Sequence, residues 1–326
     1  MIKRIIKISC FVLILAFVVY LTREYWLIIP ANNDNVQAQR ELVKIYKKAK
    51  NTERLGYWSD RLAKNGHPEA LIELGNYYMY DCKDPEWGLY WYVKAAETGY
   101  VGAQLNLAEV YLNGYGGCDK DSVQAFKWMM AAAERGDTIG QNGVGHYYIN
   151  GIGVRKNYKK GIYWLKKAIK QNSANAKMNL GVCYINGYGV EKDYKKALYW
   201  YMEAAKQGHS GGYLGLGNCY YWGYGVKQNY KKAVEWYEKA AKQGDSSGQA
   251  QLGFCYRYGK GVKKDVSKAF QLYKEAADKG EAVAIYNLGV CYYEGTGGKK
   301  IWNMHIIYLN WLLMKGLQRH NIIWGY

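Results

Sequence analysis

Residues 174–208, ANAKMNLGVCYINGYGVEKDYKKALYWYMEAAKQG, return in recognisable form every 36 residues on both sides. Gly136, Asn172, Gly208, Gly244 and Gly280 hold one equivalent position; Asp121, Asn157, Asp193, Asn229 and Asp265 hold another. A chain that repeats a unit of this length is an array of small supersecondary units, each burying its apolar face on its neighbours.

The unit reads as two helices. Ala176, Leu180 and Tyr184 stand four residues apart and form one apolar stripe, with Gly181 leaving room for a neighbouring helix. Asn186-Gly187-Tyr188-Gly189 supplies residues tolerant of positive φ, which closes the first helix and reverses the chain. Asp193 then occupies an N-cap, its carboxylate placed to accept from free N–H groups of the next turn. The second helix alternates rings and small residues on one face, Ala197, Trp200, Tyr201, Ala204 and Ala205, and Gly208 ends it.

These residues resemble the Sel-1-like repeat, a relative of the tetratricopeptide helical hairpin. The family pattern is matched by Ala176, Leu180, Gly181, Tyr184, Gly187, Gly189, Val190, Asp193, Lys196, Ala197, Trp200, Tyr201, Ala204, Ala205 and Gly208. The resemblance covers roughly residues 67–297, after a degenerate capping repeat at 36–66 and before a broken one at 298–326. It implies an all-α fold, a right-handed α/α superhelical solenoid of helix-turn-helix repeats. It also implies a scaffold or adaptor that binds another protein, often in secretion, envelope or signalling contexts, with no enzyme activity and no cofactor.

Residues 1–29 read as a targeting segment. Lys3, Arg4 and Lys7 precede an apolar run of 14 residues from Ile8 to Leu21, or 17 counted from Ile5. That is at or below the roughly 17 to 25 residues of a spanning helix. No small-x-small site directly follows Leu21, which favours an uncleaved signal anchor; a cut after Ala38 is the competing reading, giving a secreted or periplasmic chain. The positive flank keeps the N-terminus cytoplasmic and sends the repeats outward. Residues 30–35, PANNDN, read as a short polar linker.

Two repeats depart from the pattern. The first full one lacks four loop residues, since Tyr78 to Gly88 spans ten and Tyr111 to Ala125 fourteen. In the last, Ala284, Leu288, Gly289, Tyr292 and Gly295 are sound, but beyond Lys300 the N-cap, the small residues and the Trp-Tyr pair vanish together. Read one base earlier, Lys300-Ile301 must encode Asn or Asp at the cap, and Met304-His305 must encode Ala opposite Ala269. With permissible codons the shifted segment reads MEHAYYLFKLAADEGVAKAQYNLG, the repeat again. Residues 301–326 are therefore expected to be out-of-frame translation after one base lost near Lys299-Lys300.

The net charge of +18 owes much to Lys159-Lys160, Lys195-Lys196 and Lys231-Lys232, just inside the second helices. Cations there oppose the helix dipole, so helix stability does not explain them. They form either a solvated face or a positive stripe for an anionic envelope polymer, lipid head groups or a membrane surface, the alternative function for this chain. Nucleic acid is not expected as a partner.

Cys183, Cys219, Cys255 and Cys291 recur at the repeat period on helices about 8 to 10 Å apart. Disulfides need Cα atoms within about 7 Å, so these read as buried core thiols. Cys82 and Cys118, in loops of adjacent units, are a possible disulfide. No zinc spacing and no catalytic constellation is present; His67 and His209 sit at repeat boundaries as turn or capping residues.

Binding is expected where equivalent positions differ while their flanks stay fixed. Just after the packing Gly stand Asn76, Glu109, His146, Val182, Asn218, Phe254 and Val290. Asn106, Asn142, Asn179, Gln251 and Asn287 are the neighbouring polar candidates for partner contact. Spacing leaves open whether these face a groove or the next repeat.

Overall fold

A computed structural model describes residues 26–295. They form two compact units, one running to Lys156 and the other beginning at Asn157, and each stacks consecutive helix pairs as an α/α solenoid does. The first unit pairs α1 (Val36–Lys48) with α2 (Thr52–Lys64), α3 (Glu69–Asn76) with α4 (Pro85–Glu97), and α5 (Val101–Asn113) with α6 (Ser122–Glu134), and carries α7 (Thr138–Asn150). The second holds α8 (Tyr158–Lys170), then pairs α9 (Ala174–Asn186) with α10 (Tyr194–Ala205), α11 (Ser210–Trp222) with α12 (Tyr230–Lys242), and α13 (Ser246–Tyr258) with α14 (Val266–Asp278), and carries α15 (Ala282–Glu294). Among the described residues every regular element is helical.

The expected caps all form. Asp121, Asn157, Asp193, Asn229 and Asp265 accept from backbone N–H groups two or three residues on, at 2.9 to 3.0 Å. The boundary position takes positive φ throughout, from +88° at Gly136 to +65° at Asn172. In four repeats the packing Gly of the first helix, Gly75, Gly181, Gly217 or Gly253, admits a ring from the second helix of its own repeat: a Cβ on Gly217 would lie 2.4 Å from the Tyr237 ring. That ring is fully buried, as is Tyr273 in the next repeat, and each such burial contributes roughly 1.5–3 kcal/mol.

Successive repeats meet at a seam built on the second Gly of the turn. Gly225 has φ +71°, and a Cβ there would stand 2.5 Å from the carbonyl oxygen of Tyr194, the first residue of the preceding second helix. Beside it Tyr194 and Tyr224 stack at 4.6 Å, Tyr158 and Tyr188 do so one repeat earlier at 4.9 Å, and one repeat later Lys260 lies 5.2 Å over the Tyr230 ring. At the opposite end of the second helix Gln243 donates to Gly208 O at 2.8 Å and Lys279 to Gly244 O at 2.9 Å.

Three stretches differ from expectation. Residues 30–35 are no free linker: residues 26–32 are helical, Ala31 is fully buried, its carbonyl accepts from Gln39 at 2.9 Å, and Asn35 caps α1. Leu27 and Ile28, placed in the targeting segment, pack on the same core. The shortened loop of the first full repeat is accommodated by a π-helical turn, Tyr77–Asp81, which continues α3 before Asp84 caps α4. No helix among the described residues is long and apolar enough to cross a membrane; the N-terminal apolar run and the segment 298–326 lie outside those residues.

Candidate functional site

The first helices of the second unit, α9, α11, α13 and α15, pack side by side and leave a groove of about 500 Å³ along their shared face. It is lined by the same helical positions in successive repeats: Val182, Asn218 and Phe254; Ile185 and Tyr221; Asn186, Trp222 and Tyr258; Gly215, Gln251 and Asn287. Among the described residues no charged side chain lines it, in a chain whose net charge is +18. Rings dominate. Phe254 packs on Tyr258 at 4.5 Å and on Tyr221 at 6.3 Å, and Trp222 stands edge to face with Tyr221 at 4.8 Å. Trp222 and Tyr258 remain 40% and 51% exposed, so half of each ring is open to a ligand.

The amides in the groove are only partly engaged. Asn218 Oδ1 accepts from the Tyr237 hydroxyl at 2.7 Å, and Asn287 Nδ2 donates to Val283 O of its own helix at 2.9 Å. Gln251 lines the groove between them. The Tyr237–Asn218 bond has a counterpart in the first unit, where the Tyr92 hydroxyl donates to Asn76 Oδ1. Where Phe254 takes that place, the Tyr273 hydroxyl is buried without a partner. Burial raises the pKa of both Tyr237 and Tyr273 far above the usual phenol value.

Of the ten residues singled out for partner contact, four meet here: Asn218, Gln251, Phe254 and Asn287. Asn179 is half-buried on α9 and is not part of the lining. The other five belong to the first unit. Asn76 serves Tyr92, Asn106 and Glu109 are exposed on α5, and Asn142 is half-buried on α7. His146 is tied to Asn150, whose Nδ2 lies 3.1 Å from its Nδ1, and desolvation lowers its pKa. The rings Tyr221, Trp222, Tyr258 and Tyr286 were missed. Asn186, Trp222 and Tyr258 are the last residues of successive first helices and differ from repeat to repeat, so the same criterion of variation at fixed flanks finds them.

The lysine pairs prove to be half internal. In two of the pairs the second member turns onto the Tyr of its own repeat's first helix, Lys196 Nζ 5.6 Å from the Tyr184 ring centre and Lys232 Nζ 5.4 Å from that of Tyr220; at the equivalent position after Ser267, Lys268 Nζ donates to the Tyr256 hydroxyl at 2.6 Å. These contacts supply the reason for cations near a helix start that the dipole alone opposes.

The four periodic cysteines are buried free thiols, and desolvation pushes Cys183, Cys219 and Cys255 up to about 12. Cys82 and Cys118 are also free thiols in this structure, and the Cys118 thiol points to Pro85 O at 3.9 Å. His209 caps α11, its Nδ1 accepting from Gly212 N at 3.3 Å.

Comparison with known proteins places this architecture. The chain is 30% identical to a protective antigen present in uropathogenic Escherichia coli strains displaying an SLR fold, with a TM-score of 0.59, covering 90% of this chain and 64% of the antigen. It is 26% identical to a Sel1 repeat protein from Oxalobacter formigenes, with a TM-score of 0.68, covering 90% of this chain and 87% of that one. No curated protein matches the sequence. Proteins built of Sel1 repeats are generally protein–protein interaction scaffolds, and the fold is typically non-enzymatic. The Sel1 repeat model matches seven times, at residues 68–100, 101–137, 138–173, 174–209, 211–245, 246–281 and 282–305, and the chain belongs to the Sel1 repeat family.

Proposed function

We propose that this chain is a non-enzymatic scaffold that holds an uncharged segment of a partner protein in the groove of α9, α11, α13 and α15, and that it works outside the cytoplasm, anchored or released by its N-terminal segment. The observation that carries the binding reading is the uncharged, ring-lined groove in a strongly basic chain. Partly exposed aromatic rings with few charges among them are the composition of an interface core. A basic module for an anionic polymer is the weaker reading, because Lys196, Lys232 and Lys268 are already held on tyrosines and, among the described residues, no cation enters the groove. The extracytoplasmic placement is supported by the sequence of residues 1–21, with its cations before an apolar run.

A photo-crosslinking residue at position 254 tests the groove, with position 199 on α10 as control, since Tyr199 is exposed away from it. Adducts to a protein at 254 and none at 199 are expected; equal yields at both positions overturn the reading. For placement, Cys82 is the one exposed thiol among the described cysteines. A membrane-impermeant maleimide should label it in intact or outer-permeabilised cells. Labelling only after lysis of the inner membrane would place the repeats in the cytoplasm.

A further inference from the structure

The conformation of the bound segment can be read from the period of the groove, granted that the groove is the partner site. Equivalent lining residues recur on α9, α11, α13 and α15, which pack directly on one another in sequence. Packed helices stand about 8–10 Å apart, so the groove offers equivalent positions at about that interval. A ligand that meets each repeat in the same way must itself repeat at that distance. A polyproline II helix has three residues per turn and rises about 3.1 Å per residue, or about 9.3 Å per turn. An extended strand returns to the same face after about 6.7 Å and an α-helix after 5.4 Å, so both drift out of step within two repeats.

Chemistry points the same way. Polyproline II backbone has no internal hydrogen bonds, so its carbonyls are free to accept. Asn218 engages only its Oδ1 within the protein, leaving Nδ2 to donate, and the Gln251 amide lies in the same lining. Proline rings are compact, apolar and uncharged, and aromatic-lined grooves are the usual surface that receives them. Trp222 and Tyr258 occupy the same helical position 36 residues apart and are 40% and 51% exposed, one ring on each of the two central helices of the groove, α11 and α13. No lining residue carries a charge that an acidic or basic peptide could meet.

We infer that the groove binds an uncharged, proline-rich segment in the polyproline II conformation, about one turn per repeat, with Trp222 and Tyr258 packing on the proline rings and the Asn218 and Gln251 amides donating to its carbonyls. Four helices span about 27 Å between the outer axes, which corresponds to about nine residues.

The test uses the full chain and a fluorescein-labelled peptide of about ten prolines, followed by anisotropy. Controls of equal length are an alternating Ala-Gln peptide, uncharged but not held in polyproline II, and an Asp-rich peptide. The proline peptide should bind at least about tenfold more tightly than either, with less than about a twofold change between low and high salt, because no ion pair is screened. Trp222→Ala and Tyr258→Ala should each weaken it at least about fivefold while keeping the far-ultraviolet dichroism and a cooperative thermal transition, with a midpoint lowered only slightly by the ring contacts each loses to Tyr221 or Phe254. Equal affinity for the Ala-Gln peptide, or wild-type affinity in both folded variants, overturns the inference. If position 254 crosslinks to a protein but the proline peptide does not bind, the conformation is wrong and the scaffold reading stands. If neither occurs, both fall. Tightest binding of the Asp-rich peptide, abolished by salt, overturns both in favour of the lysine surface.

Discussion

The second unit has two surfaces built on the same period, and they treat it in opposite ways. Along the seam where each turn meets the preceding repeat, the same atoms meet each time: Gly189 against Tyr158, Gly225 against Tyr194, Gly261 against Tyr230, each with a positive φ and each too close for a side chain. Along the groove, equivalent positions change at every step, as in Val182, Asn218 and Phe254, or Asn186, Trp222 and Tyr258. A seam formed by backbone contact admits one solution, because no rotamer can relieve a clash with a main-chain oxygen. A face open to solvent admits many. The stacking of the array is therefore specified by its most constant residues, and its most variable ones are left to the partner contact we propose.

The comparison breaks most visibly at Gly225. Gly225→Ala adds a methyl 2.5 Å from Tyr194 O in a backbone conformation of φ +71°. Left-handed strain of about 1–2 kcal/mol adds to overpacking of about 1–3 kcal/mol, so a loss near 3 kcal/mol is expected. Gly208→Ala carries the same strain, at φ +77°, but its new methyl would meet only the tip of Gln243 at 3.9 Å. Its loss should stay near 1–2 kcal/mol. Equal urea midpoints for the two variants would mean that the seam contact adds nothing beyond φ.

Removal of a cap should cost less. Asn229→Ala withdraws the acceptor that Lys232 N reaches at 3.0 Å, for a loss of about 1 kcal/mol. The equivalent Asp193 adds a pH dependence. The backbone N–H of Lys196 comes first among the groups that lower its pKa, followed on the same side by the Lys196 ammonium. A carboxylate with a depressed folded pKa contributes stability that is complete above its unfolded value, about 3.9, and is lost as pH falls through the lower folded value. Asp193→Asn keeps a capping oxygen without the titration, so the acid limb of the stability profile should flatten below about pH 4. An unchanged limb would show that Asp193 does not titrate against this fold.

Most of the helix plan was legible in the sequence because each boundary is fixed by local chemistry: a cap acceptor such as Asn229, a left-handed residue such as Gly208 or Asn172, and an apolar stripe between them. Residues 30–35 were misread for the complementary reason. Ala31 is buried by contacts with α1, α2 and their neighbours, and a polar tripeptide such as Asn32-Asn33-Asp34 carries no sign of what a tertiary contact will cover. The π turn at Tyr77–Asp81 is likewise a response to a short connection and not a propensity of its residues. In the groove, Asn218 and Phe254 could be found by comparing repeats. Asn76 and His146 satisfied the same test, and they answer neighbouring side chains, Tyr92 and Asn150. Variation marks surface freedom; it does not tell a groove from a hydrogen bond.

The smallest expected effect is the most discriminating, because it separates these two uses of one position. Asn218 satisfies the Tyr237 hydroxyl, whereas Phe254 leaves the Tyr273 hydroxyl buried and unpaired. Phe254→Asn should restore the missing bond, a gain of about 1 kcal/mol, while losing ring contacts with Tyr258 and Tyr221 of about the same size. The fold should thus tolerate it within about 1 kcal/mol, and Phe254→Ala, which loses the ring and gains nothing, should be less stable. Tyr273→Phe removes the hydroxyl that the new amide would serve. In that background the advantage of Asn over Ala at position 254 should disappear, a coupling that a double-mutant cycle of chemical denaturation midpoints measures directly. If Asn holds its advantage without the Tyr273 hydroxyl, position 254 does not exchange a core hydrogen bond for an aromatic contact surface, and the presence of Phe there has to be explained by the groove alone.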